Sequence, residues 1–249
     1  MKDKTYHPVK THLLQNRVDV ALIGAGGTGS MVLSGLVRLH MSMIACGHPA
    51  GLMVKVFDPD KVSDANIGRQ LFYRSDIGQN KAQVLVNRLN IALGLDFCAE
   101  DTEFKNPEYS RFDIIISCVD SRKSRSKIQL ECMSPIYFID CGNGNDYGQV
   151  LMGVAETPSM PWPWKEHPEL FDETIPEDNT PSCSLMEALE KQSLFINQDV
   201  ATACLLLLNN LFRNGGTYHR GYYINQKTGA RTAIPLKQIK RKNKKCQKK

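Results

Sequence analysis

No two of the eight cysteines stand in C-x-x-C spacing, which argues against a zinc ribbon or a thioredoxin-like redox pair. No apolar core occupies the opening MKDKTYHPVK, so nothing there reads as a signal peptide. The longest aliphatic run, residues 201–208, is far shorter than the ~20 residues a membrane-spanning helix needs. No internal repeat is present. These absences predict a cytoplasmic protein with free thiols and no membrane partner.

Acidic residues are missing from residues 237–249, KQIKRKNKKCQKK, which carry eight basic ones. Taking those eight from the formal +5 leaves −3 for the remaining chain. The body is therefore mildly acidic, and the basic character belongs to a tail expected to be disordered. No aromatic residue interleaves its lysines, so nucleic-acid contact through it is the weaker expectation.

What the chain does have is alternation of strand and helix signals. Apolar runs predict strands at 18–24, 52–58, 95–100, 113–118 and 136–140, without the clean alternation of a one-sided sheet. Helical periodicity predicts helices at 28–41, 79–93 and 121–133, the second stopped by Gly94. This order implies a Rossmann-like, doubly wound α/β sheet, mostly parallel in its N-terminal half. After Asp140, CGNGNDYG reads as a turn-rich break and 149–155 as a further strand. Residues 157–183 are rich in proline and acid and lack a period; Trp162 and Trp164 are expected to anchor this loop to the body. A helix at 197–213 and a hairpin, 218–225 with 231–236, close the fold. We divide the chain into one domain, 1–236, comprising an α/β core (17–157), a crossover loop (158–183) and a C-terminal helix and hairpin (184–236), followed by the tail.

The first strand runs into VDVALIGAGGTGS, where Gly24, Gly26 and Gly29 satisfy G-x-G-x-x-G, with Gly27 between them. Such a turn lets the backbone approach phosphate beneath a helix N-terminus. Asp58 ends a later strand, where it can accept from ribose hydroxyls. These features alone fit an NAD(P)-dependent oxidoreductase. Yet Asp58 lies 29 residues past Gly29, beyond the usual interval of about 20. No acid–base residue of a hydride-transfer site is evident either.

The next blocks change the balance. They are Asp58-Pro59-Asp60-Lys61-Val62, Asn66-Ile67-Gly68-Arg69-Gln70, Ile77-Gly78-Gln79-Asn80-Lys81 and, after a hydrophobic strand, Cys118-Val119-Asp120. With the glycine turn they resemble, in order, the motifs of the ThiF/MoeB adenylating enzymes, relatives of the ubiquitin-activating enzymes. The long interval 39–60 resembles the branch encoded in bacterial PRTRC cassettes. The resemblance implies MgATP-dependent adenylation of the C-terminal carboxylate of a small ubiquitin-like, β-grasp protein, with a JAMM-type protease as a further associate. It assigns Asp58 to the ribose, Asn66, Arg69, Gln70 and Lys81 to the triphosphate, and Asp120 to Mg²⁺.

Those residue types suit the chemistry. A carboxylate must attack an anionic α-phosphate, so placed cations are needed. Arginine offers a planar fork and lysine a compact charge; Mg²⁺ takes one or two protein carboxylates beside the phosphates. Local explanations compete. Asp120 could cap the helix near Ser121, Arg69 could pair with Asp60 or Asp64, and Asn66 could end a turn. An inactive nucleotide- or partner-binding module is a further alternative.

Two departures stand out. The family's zinc-binding C-x-x-C pairs are missing, so no structural zinc is expected. Residues 1–17 hold only Arg17 in place of an N-terminal arginine motif, which leaves the homodimer common in the family open. Cys183, after the crossover loop, is the candidate acceptor of an activated acyl group, with an ordinary thiol as the alternative; Cys204 reads as core.

Overall fold

A computed structural model describes residues 5–105, 112–132, 136–177 and 184–238. Eight strands form one sheet: β2 (Val18–Ile23), β3 (Leu52–Phe57), β4 (Cys98–Glu100), β5 (Ile114–Ser117), β6 (Tyr137–Asn143), β7 (Tyr147–Val154), β9 (His219–Asn225) and β10 (Ala230–Pro235). Their spatial order is β10-β9-β7-β6-β5-β2-β3-β4. From β4 to β6 all pairs are parallel, and beyond β6 all are antiparallel. Chain order reverses between β2 and β5, which opens a crevice at the carboxyl ends of those strands.

Both faces of the parallel half are covered, hence its continuous apolar runs. Val20, Leu22, Ile116 and Ile139 pack with α2 (Gly27–Ala45), α3 (Lys81–Leu93) and α7 (Ile196–Arg213). Ala21, Ile23, Ile115 and Phe138 face the opposite cluster, which includes Ile128 of α4 (Arg122–Glu131) and Phe171. Trp162 and Trp164 stack with ring centroids 5.1 Å apart, and Trp164 meets Phe138 edge-on at 5.1 Å. The indoles do anchor the loop: Trp162 is the N-cap of a short helix, α5 (Pro163–Glu166), that carries Trp164.

Several boundaries move for local reasons. β4 starts at Cys98 because the Asn90 side chain brackets Phe97, accepting from its N–H and donating to its carbonyl. The break after Asp140 is only 144–146, since Cys141 to Asn143 stay paired with β7. Sequence patterning did not indicate α1 (His12–Gln15), α6 (Leu185–Lys191) or the two-residue pair of β1 (His7–Pro8) with β8 (Gly216–Thr217); all are too short to show a period. The tail boundary also shifts, because Lys237 donates from its backbone to Ser159 and from Nζ to Glu166. The tail from residue 239 and Cys183 lie outside the described residues.

Candidate functional site

The glycine turn leaves β2 at the crevice. Gly24 has φ of +90° and its N–H donates to Phe57 O at 2.9 Å. A Cβ there would stand 2.8 Å from the Cys118 carbonyl oxygen, and one on Gly29 would stand 1.8 Å from Gly24 O. These glycines let β2, β5 and the start of α2 converge. Gly26, by contrast, faces open space, its nearest foreign atom being Gln70 Oε1 at 4.0 Å. The first turn of α2 has no acidic residue and no side-chain cap. Its backbone N–H groups and dipole therefore suit an anion.

Asp58 follows β3 and is buried. Its Oδ2 accepts from Ala25 N at 2.6 Å and its Oδ1 from Asp60 N at 2.8 Å. Burial pushes its carboxyl above the ordinary 3.8, against the pull of the Ala25 N–H and of Lys81. The carboxylate thus ties the glycine turn to the β3 loop and keeps one lone pair per oxygen for a ligand. Lys81 opens α3 behind the N-cap Asn80. Its Nζ lies 2.8 Å from Asp60 Oδ2, a partner that offsets the unfavourable end of the helix dipole.

Arg69 pairs with neither Asp60 nor Asp64 among the described residues. It is half-buried, with Nη1 donating to Gln192 Oε1 at 3.2 Å. Burial lowers its pKa, opposed by the charge of Asp120, so the guanidinium and that carboxylate face a common region. Arg69 Nε and Gln70 Oε1 are buried without hydrogen-bond partners. Such orphans carry a desolvation penalty of roughly 1–3 kcal/mol each unless a ligand or water meets them. Rotating the Gln70 carboxamide presents its NH₂ to the same space. Asn66 is more local than the resemblance implied: its Oδ1 accepts from Ser63 N at 2.9 Å, leaving only the amide hydrogens for a ligand.

Asp120 is exposed beyond β5 and does not cap α4. Ser121 does, its Oγ accepting from Ser124 N at 3.1 Å. Beneath it Arg125 Nε donates to Asp140 Oδ1 at 3.0 Å, while Nη1 donates to the Asp120 carbonyl at 3.2 Å. The sequence reading missed this pair, and it missed Gln192, Asn197 and Asn143, because no motif joins positions so far apart. Cys118 lies near the turn, but its hydrogen bond with Cys141 and its burial hold the thiol well up. Cys204 is buried, as expected of a core thiol.

Contacts and charge therefore link Asp58 to the glycine turn and to Lys81, Gly26 to Gln70, and Arg69 to Asp120, while Gly27 and Gly29 serve packing against Asn197 and Gly24. The ThiF family model matches residues 11–248. The NEDD8-activating enzyme E1 catalytic subunit of Dictyostelium discoideum is 29% identical over 135 residues, covering 52% of this chain and 28% of that protein. Ubiquitin-like modifier-activating enzyme 6 of Mus musculus is 26% identical over 183 residues, covering 69% of this chain and 16% of that one. The chain therefore spans less than a third of the length of these relatives. Among solved structures, E. coli MccB with AMPCPP and MccA aligns at a TM-score of 0.58 and 17% identity, covering 91% of this chain and 66% of that one. PaaA aligns at 0.57 and 13%, covering 89% and 65%. By fold, ordered motifs and the extent of the family match, the chain belongs to the ThiF family.

Proposed function

We propose that this protein is an ATP-dependent adenylyltransferase acting on the C-terminal carboxylate of a small ubiquitin-like partner. The observation that carries the reading is the buried Arg69 Nε without a partner, adjacent in sequence to Gln70, whose Oε1 is the nearest foreign atom to Gly26 at the uncapped start of α2. A polyphosphate supplies acceptors for this donor and for the N–H groups of α2. A nicotinamide dinucleotide has only a pyrophosphate bridge between two nucleosides, and the third phosphate of NADP sits on a ribose 2′-oxygen, so neither offers an in-line triphosphate to Arg69 and Lys81 together.

In this reading Asp58 accepts from the ribose, Arg69, Gln70, Lys81 and the Asn66 amide hydrogens bind the phosphates, and Asp120 holds Mg²⁺. An exposed carboxylate at a strand's carboxyl end suits a hard cation that keeps several waters. When bound, Mg²⁺ supplies charge neutralisation on the phosphate oxygens. The partner's carboxylate oxygen attacks the α-phosphorus, the bond to the bridging oxygen breaks, and pyrophosphate leaves with that electron pair. Arg69 and Lys81 offset the negative charge that three anionic groups bring together.

Cys183 is the proposed acyl acceptor, and the PRTRC-cassette branch the proposed subfamily, with a JAMM-type protease as a proposed associate. The test is ATP–pyrophosphate exchange with small β-grasp proteins encoded beside this one. Exchange that requires Mg²⁺ and a partner, and that Asp120→Ala abolishes without unfolding, is the expected result. Binding of NADH but not ATP would overturn it.

A further inference from the structure

Side chains from outside the motifs, Asn143, Gln192 and Asn197, join Thr28 of the glycine turn to Arg69. Thr28 Oγ1 lies 2.9 Å from Asn197 Oδ1 and 3.2 Å from Asn143 Oδ1. Asn197 Nδ2 donates to Gln192 Oε1 at 2.8 Å. The same Gln192 oxygen accepts from Arg69 Nη1 at 3.2 Å. Asn197 is buried in the first turn of α7. A Cβ on Gly27 would stand 2.6 Å from its carboxamide, so Gly27 makes room for Asn197.

The geometry at Arg69 is asymmetric. A guanidinium meets a phosphate either through its two terminal nitrogens or through the Nε–Nη2 edge. Gln192 occupies Nη1. Nε is buried and unpartnered, and Nη2 has no hydrogen-bond partner among the described residues. The unengaged edge is therefore Nε–Nη2. Arginine otherwise has many rotamers, whose loss on binding costs free energy. A fixed acceptor behind it removes part of that cost in advance.

We propose that Gln192, oriented by Asn197, is a positioning residue that holds Arg69 from behind and presents its Nε–Nη2 edge to the polyphosphate. This rests on the ATP reading above. Gln192 follows α6 directly, after the crossover segment, so the same contact links that part of the chain to the nucleotide site.

The test compares the full-length wild type with Gln192→Met, which keeps side-chain length but removes the acceptor. Calorimetric titrations with ATP and with adenosine are run beside thermal melts. Gln192→Met is expected to weaken ATP binding about tenfold, the factor expected for one hydrogen bond to a charged group. Adenosine affinity stays unchanged, while the melting temperature falls modestly because the buried Asn197 Nδ2 loses its acceptor. Arg69→Met also weakens ATP, and Arg69→Met/Gln192→Met is no weaker than Arg69→Met alone, because the two act through one contact. Gln192→Ala gives the same pattern should the methionine variant not fold. Wild-type ATP affinity in the Gln192 variants, equal losses for adenosine, or additive losses in the double variant would each overturn the proposal. If the wild type itself fails to bind ATP, the nucleotide reading falls first and this one with it. If ATP binds and the Gln192 variants match wild type, only this one falls.

Discussion

Lys81 Nζ sits 2.8 Å from Asp60 Oδ2, and the two side chains differ sharply in exposure, 11% for the lysine and 65% for the aspartate. The ammonium is fixed and its counter-ion is free to turn into water. An arriving phosphate can replace Asp60 with little desolvation, since that carboxylate is already largely hydrated. Lys81→Met keeps the aliphatic stem and removes the charge. It is expected to weaken MgATP binding by about ten- to a hundredfold, the range for a hydrogen bond to a charged group, with little change in melting temperature. Titration calorimetry with AMPCPP checks this, and unaltered affinity would remove Lys81 from the site.

Asp58 gives the protein a pH signature. Burial is the main cause that places its folded pKa above the ordinary 3.8, so between the two values the folded chain binds more protons than the unfolded one. The stability owed to this group is full below 3.8; it declines as pH rises to the raised value and is level beyond it. Urea denaturation of wild type and Asp58→Ala across the carboxylate range should show the wild-type advantage shrinking with rising pH. An advantage that grows instead reverses the sign of the shift.

The glycines of the turn should separate folding from binding. Gly29→Ala forces a Cβ against a backbone oxygen that would be 1.8 Å away. Its cost is expected at or above the top of the roughly 1–3 kcal/mol typical of overpacking. Gly26→Ala meets nothing nearer than 4.0 Å, so stability holds while the methyl group intrudes where phosphate would approach. Chemical denaturation and nucleotide titration of the two variants should give opposite rankings.

The Arg125–Asp140 pair, with side chains 6% and 0% exposed, should behave as a buried ion pair. Arg125→Met or Asp140→Leu alone leaves an uncompensated charge and is expected to cost about 3–5 kcal/mol. Arg125→Met/Asp140→Leu together should recover most of that loss. If stability recovers but Mg²⁺-dependent exchange does not, the pair's importance lies in its bond to the Asp120 carbonyl. Equal losses in single and double variants would make this a packing site only.

Much of the nucleotide-binding half was legible from residue patterns. Continuous apolar runs between Gly24, Asp58 and Gly94 identified covered parallel strands and the helix following them. The ordered blocks around Arg69, Lys81 and Asp120 supplied the charged residues of the candidate site. The competing local readings separated only in three dimensions. Ser121 rather than Asp120 caps α4; Arg69 turns away from Asp60 and Asp64; Asn66 commits its oxygen to its own turn.

The sequence alone determined the doubly wound sheet, the glycine turn and the family, because all three are written in local periodicity and closely spaced motifs. Tertiary structure decided what each charge rests against: Asp60 on Lys81, Gln192 on Arg69, Arg125 beneath Asp120. Arg69 and Gln192 are 123 positions apart, and no local pattern encodes a contact across that distance. Packing of α7 against α2, with Asn197 set against Gly27, brings them into one site.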